Sequence, residues 1–118
     1  MRLQEMTKTK TYVTYAILDP VTSEVVYVGQ TGNFEKRMQG HLRIKKRPNI
    51  RTENIKTWMF DQLDAGREPE FRVLQVSESE EDSYGVEDYW VKHFADRGQP
   101  LLNRWRHHQE IIRAANKI

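Results

Sequence analysis

The stretch VYVGQTGNFEKRMQGH, residues 26–41, passes from a β-branched strand through a Gly-rich turn into a helical pattern. Asn33 is a residue type that caps helix N-termini, and Phe34, Met38 and Leu42 recur every four positions, which predicts a helix over about 34–44. At about 100° per residue, Arg37 and His41 fall together beside that apolar stripe, at the edge of the buried face. Core packing needs neither side chain. A phosphate to be held and a proton to be moved would explain both. A surface salt bridge for Arg37 and a hydrogen-bonded boundary histidine for His41 would also explain them.

Upstream, YVTYAIL (12–18) and EVVYVG (24–29) are rich in β-formers, and the DPVTS between them has Asp-Pro turn chemistry. The two read as a hairpin with a loop of about five residues. Val13, Tyr15 and Ile17 share one face of the first strand, and Tyr15 falls opposite or diagonal to Tyr27, a pairing that packing alone can explain. Downstream, Pro48-Asn49 interrupts the first helix. A second helix over about 52–65 carries Ile55, Trp58, Met59 and Leu63 on one face and stops at Gly66. FRVLQV (71–76) reads as a buried strand. SESEED supplies caps and acids for a helix over about 80–96, which Gly98-Gln99-Pro100 ends, and a last helical stretch runs to about 116. The order β-β-α-α-β-α-α predicts an α/β (α+β) fold with a small three-stranded, mainly antiparallel sheet flanked by helices.

The chain has 118 residues, 37% of them hydrophobic and 31% charged, the composition of one globular domain and not of a disordered chain. Its expected core covers about 12–105, with a helical extension over about 104–118. No apolar run is long enough to span a bilayer, and the polar start MRLQEMTKTKT has no export signal, so a cytoplasmic location is expected, or the host cytoplasm for a virus-encoded chain. Absence of cysteine excludes disulfides and thiolate zinc sites. The net charge of +2 conceals an asymmetry: residues 36–52 hold seven basic side chains and no acid, and residues 61–96 hold eleven acids against three bases. The basic stretch could follow a phosphate backbone or be a solvated helix end and loop.

On helix 80–96, Val86, Tyr89, Trp90, Val91, His93 and Phe94 form an apolar arc that includes Glu87, while Asp88 and Lys92 fall outside it. A carboxylate on such a face needs a cation, so a metal ion or an arginine is expected beside it. No two histidines stand four apart on a helix, and neither a G-x-x-x-x-G-K-[ST] loop nor a G-x-G-x-x-G is present, which argues against zinc and against nucleotide-dependent chemistry.

Together these residues resemble a GIY-YIG nuclease domain, over about residues 12–105. The first motif stands as Val13-Thr14-Tyr15 and the second as Tyr27-Val28-Gly29, twelve residues apart tyrosine to tyrosine. The turn Gln30-Thr31-Gly32-Asn33 follows, then Arg37-x-x-x-His41, Glu87 in VEDYWVKHF and Asn103 in LLN. Val13 and Thr14 depart from the Gly and Ile of the family motif. Gln30 stands where some branches carry a lysine, which leaves His41 to handle a proton.

The resemblance implies a metal-dependent endonuclease hydrolysing DNA phosphodiesters with water. Tyr15 would be general base or water-orienter, His41 would receive the proton, and Tyr27 would support them. Free tyrosine is only about 0.1% ionised at pH 7, so such a base needs nearby positive charge. Arg37 would grip the phosphate, Glu87 would hold one Mg²⁺ (Mn²⁺ as a substitute), and Asn103 would brace the site. Lys36, Arg43, Lys45, Lys46, Arg47 and Arg51 would hold the DNA backbone. The few residues after Trp105 leave specificity to loops, a homodimer or a partner protein. The alternatives are a catalytically inactive DNA-binding or interaction module on this fold, and a structure-selective or RNA-directed nuclease.

Overall fold

The computed structural model describes residues 10–48 and 54–117. The N-terminal stretch to residue 9, the expected turn at Asn49, the helix start near 52 and Arg51 lie outside the described residues. Strands β1 (Tyr12–Leu18), β2 (Val25–Thr31) and β3 (Glu70–Ser77) form one antiparallel sheet in the order β2-β1-β3. Four helices accompany it among the described residues: α1 (Phe34–Leu42), α2 (Ile55–Asp64), α3 (Glu80–Asp96) and α4 (Arg106–Ala115). The order β-β-α-α-β-α-α and the α+β class match the sequence expectation. None of these helices is long and apolar enough to cross a membrane.

Alternation along β1 divides the core. Tyr15 and Ile17 pack with Val26 and with Ile55, Trp58 and Met59 of α2. Ala16 and Leu18 pack with Val25, Val28 and Val91 of α3, and Ile111 and Ile112 of α4 close over that cluster. The central strand is thus buried on both faces, which is why it carries no charge. Asp19 makes the hairpin turn by accepting from the Val21 and Thr22 amides at 2.8 and 3.1 Å. Asn54 and Thr57 cap α2 reciprocally, and Ser79 caps α3.

The structure corrects the sequence reading at four places. β2 does not stop at Gly29: Gly29, Gln30 and Thr31 stay in the ladder opposite Tyr15, Thr14 and Val13. β3 is an edge strand and not a buried one, with Val73 and Val76 about half exposed, and only Phe71 and Leu74 lean on the two core clusters. In α1 no residue is fully buried; Phe34 and Leu42 only lean on the first cluster. On α3 the buried line is Ser83, Glu87, Val91 and Ala95, and Tyr89 is 60% exposed. The true inner face is therefore rotated toward Glu87, because α4 covers the Glu87–Asp88 side.

Beyond α3, Gly98 adopts φ 73°, a left-handed turn that suits glycine, and reverses the chain. Residues 99–103 then strap the outer edge of β2. Gln99 Oε1 accepts the Val25 amide at 2.7 Å, and the Leu102 amide donates to the Val26 carbonyl at 2.7 Å. Asn103 clamps Val28 at both backbone groups.

Candidate active site

Tyr15 lies opposite Gly29, and Tyr27 opposite Ile17, so the two tyrosines are diagonal neighbours with ring centroids 6.3 Å apart. A Cβ on Gly29 would stand 2.7 Å from the Tyr15 hydroxyl oxygen and 2.9 Å from Tyr27 Cε2. Only a residue without a side chain admits both rings, which explains why Gly29 follows Tyr27-Val28.

α1 brings its last turn over these rings. Tyr15 Oη and His41 Nε2 are 3.0 Å apart, and Phe71 and Tyr27 flank the imidazole at centroid distances of 5.8 and 5.9 Å. Burial among these rings lowers the His41 pKa to about 4, with the charges of Arg37 and Lys56 adding to the effect, so the imidazole is neutral at pH 7. Burial likewise raises Tyr15, with Tyr27 adding to it and Arg37 opposing. Tyr27 is raised by burial and then by the Glu87 carboxylate, again against Arg37. Positive charge from Arg37 is thus present but outweighed, and neither tyrosine is a preformed phenolate. The two also differ in access. Tyr15 is wholly enclosed, whereas Tyr27 is half-buried.

Arg37 and His41 line one cleft of about 410 Å³ together with Gly40, Ile44, Pro48 and Lys56. An adjoining hollow of about 360 Å³ is lined by Thr31, Asn33, Lys36, Arg37 and Gly40. Arg37 borders both. A larger concavity of about 610 Å³ between β3 and α3, lined by Asp82, Tyr89 and Trp90 among others, holds none of these side chains. Gln30 meets Ser83 of α3 at 3.3 Å, on the sheet face away from Tyr15, so it takes no part in the proton site.

Glu87 is buried, and the group it meets is His108 and not an arginine: His108 Nε2 lies 3.2 Å from Glu87 Oε1 and 3.4 Å from Asp88 Oδ1. His108 Nδ1 in turn faces Asn103 Nδ2 at 3.0 Å. Glu87, Asp88 and His108 form a group whose ligand atoms all lie within 4.8 Å of one another. Spacing within one helix could not reveal it, because α3 and α4 each supply part.

Of the expected backbone-binding residues, Lys36, Arg43, Lys45 and Lys46 are exposed on α1 and the loop after it. Arg43 reaches Gln39 at 3.4 Å, and Arg47 forks onto Asp61 of α2, with Nε 3.1 Å from Oδ1. Lys56, Asp88 and His108 are the residues sequence reasoning missed. Only Lys56 had a usable signal, as a cation one residue past the start of α2 and off its apolar face.

The family model for the GIY-YIG catalytic domain matches residues 11–100. No curated protein and no solved structure matches the chain at a significant level. The match includes both tyrosine motifs, Arg37, His41 and Glu87, and it ends before Asn103 and α4.

Proposed function

The chain belongs to the GIY-YIG catalytic domain family, a family of nucleases, and from that premise we propose that it is a metal-dependent endonuclease that hydrolyses DNA phosphodiesters with water. The observation that carries this reading is the cleft lined by Arg37 and a neutral His41, with Tyr15 3.0 Å from the imidazole and the Tyr27 ring flanking it behind that wall. Such a set serves phosphoryl hydrolysis, which needs a proton acceptor and stabilisation of anionic oxygens.

The donor set fits the family's divalent cation. Glu87 offers a buried carboxylate with an imidazole for its neighbour, and Asp88 Oδ1 is a second buried oxygen with no hydrogen bond. Hard oxygen donors of this kind suit Mg²⁺ or Mn²⁺. Glu87 is the residue we assign to hold it. When bound there, the cation would offset the Glu87 charge that raises Tyr27 and would stabilise the leaving oxygen.

The remaining steps use the chain's own residues. Arg37 presents its planar fork to the non-bridging phosphate oxygens, and Lys56 adds a second charge on the same cleft wall. Tyr27, whose hydroxyl has no hydrogen-bond partner in the described residues, orients the attacking water. His41 receives the proton. A bound phosphate counters the Arg37 and Lys56 charges that depress the imidazole, so His41 becomes a better base once substrate is present. Tyr15, too enclosed to meet a solvent-borne water, holds His41 in place across the 3.0 Å hydrogen bond. Water opens the phosphodiester by attack at phosphorus, the P–O bond to the leaving oxygen breaks, and the water proton passes to imidazole.

The reading is tested by incubating supercoiled plasmid with the protein, with and without Mg²⁺, beside Glu87→Gln. Mg²⁺-dependent nicking that Glu87→Gln lacks is expected. No nicking by well-folded wild type in either Mg²⁺ or Mn²⁺, with DNA binding retained, would favour a binding module.

A further inference from the structure

His108 belongs to none of the sequence motifs and lies beyond the matched family region, yet it is 3% exposed and sits against two carboxylates from another helix. Its tautomer follows from the backbone. The Val28 N–H can only donate and the Val28 carbonyl can only accept. Asn103 satisfies both, with Oδ1 accepting at 3.1 Å and Nδ2 donating at 2.8 Å, which settles the orientation of the amide. The second Nδ2 hydrogen is then available to His108 Nδ1, 3.0 Å away, so Nδ1 accepts and the ring carries its proton on Nε2.

A protonated ring nitrogen cannot ligate a cation. It can only donate, and its neighbours are Glu87 Oε1 and Asp88 Oδ1. Both oxygens lie close to Nε2, at 3.2 and 3.4 Å, yet neither contact has hydrogen-bond geometry, so the N–H faces the pair without a partner. Asp88 is held from its other oxygen by His107 Nε2 at 2.8 Å, and Trp105 packs edge-on against the His108 ring with centroids 4.8 Å apart. The Gln109 amide donates to the Asn103 carbonyl, which closes the turn around the ring. Hydrogen bonds thus run from the backbone of β2, one residue after Tyr27, through Asn103 to His108, whose Nε2 stands 3.2 Å from Glu87.

We propose that His108 is a positioning residue of the cation site: its Nε2 proton, set by Asn103, donates toward the Glu87–Asp88 pair and holds the Glu87 carboxylate ready for a divalent cation. This rests on the reading of Glu87 as the cation's ligand. Partners of ligating side chains commonly contribute about 10–100-fold to metal affinity.

The test is Mn²⁺ binding by the full chain without DNA, read from the free-ion electron paramagnetic resonance signal, together with the Mg²⁺ concentration for half-maximal nicking. His108→Asn keeps an acceptor for Asn103 and loses the donor to the carboxylates. His108→Gln keeps an N–H donor at the reach of Nε2. We expect His108→Asn to bind Mn²⁺ about 10–100-fold more weakly and to recover its nicking rate at saturating Mg²⁺, and His108→Gln to regain most of the affinity. Wild-type Mn²⁺ affinity in folded His108→Asn, or equal loss in both variants, overturns the role. Should His108→Asn fail to fold, His108→Gln decides: near-wild-type affinity supports the role and a tenfold loss overturns it. Glu87→Gln measured alongside separates the two levels. Undiminished affinity there overturns Glu87 as the ligand, whereas loss in Glu87→Gln with none in His108→Asn overturns only the role of His108.

Discussion

Gly29 shows how one residue organises the cleft, because its missing side chain is the space that the Tyr15 and Tyr27 rings occupy. The tyrosines themselves are chemically alike and differ in access, which ranks their variants. Tyr27→Phe should reduce single-turnover cleavage by about 10²-fold or more, the usual scale for a group that handles the reacting water. Tyr15→Phe should cost less, since it loosens His41 without removing it. Equal effects, or the reverse order, would return the water to Tyr15. His41 makes a second prediction through pH. Its folded pKa of about 4 lies below the ordinary 6.5, so below about pH 6.5 the unfolded chain takes up a proton that the folded chain refuses. The stability present above pH 6.5 is lost as pH falls toward 4. Melting temperatures across that window should drop more steeply for wild type than for His41→Gln. Parallel curves would show that the imidazole is not held neutral. The motif residues were legible because each is local in sequence. The exposure of each tyrosine was not, since it depends on where α1 and β3 cross β1.

At the level of elements, α4 is the one whose role the sequence least disclosed. Its helical pattern was legible, but it reads as an extension to a core ending near residue 105. In the structure Ile111 and Ile112 close the second core cluster, and His108 reaches Glu87. A chain ending at Arg104 should therefore melt lower by about 4 °C or more, since even about 1 kcal/mol shifts a domain of this size that far. An unchanged melting curve would make α4 an appendage after all. The apolar arc of α3 was misread for the same reason. Periodicity finds a stripe, but Tyr89, Trp90 and His93 weigh as much as Val91 and Ala95 in such a count. Which side is covered is decided by α4, tens of residues away. β3 was overrated as a buried strand because its apolar run looks alike at an edge and at a centre.

Across the whole molecule, charge is separated: cations gather on α1, the loop after it and Lys56, and acids on α3. This asymmetry was plain in the sequence. What it could not show is that Arg47 forks onto Asp61, which leaves Lys45 and Lys46 as better candidates for holding phosphate. Replacing those two lysines by alanine should weaken binding similarly across DNA sequences and lower the salt slope by about 0.9 for each duplex DNA phosphate that the protein no longer neutralises. An unaltered slope would remove that loop from the interface. The central claim is that the cleft bordered by Arg37 cleaves the phosphodiester. It is tested most directly by the Mg²⁺-dependent rate of plasmid nicking by Arg37→Ala and Arg37→Lys, with DNA binding and melting temperature measured in parallel. Arg37 is exposed, so both variants should fold and bind DNA, while Arg37→Ala should lose about 10²-fold or more in rate and Arg37→Lys should recover only part of it. A wild-type nicking rate in Arg37→Ala would contradict the account.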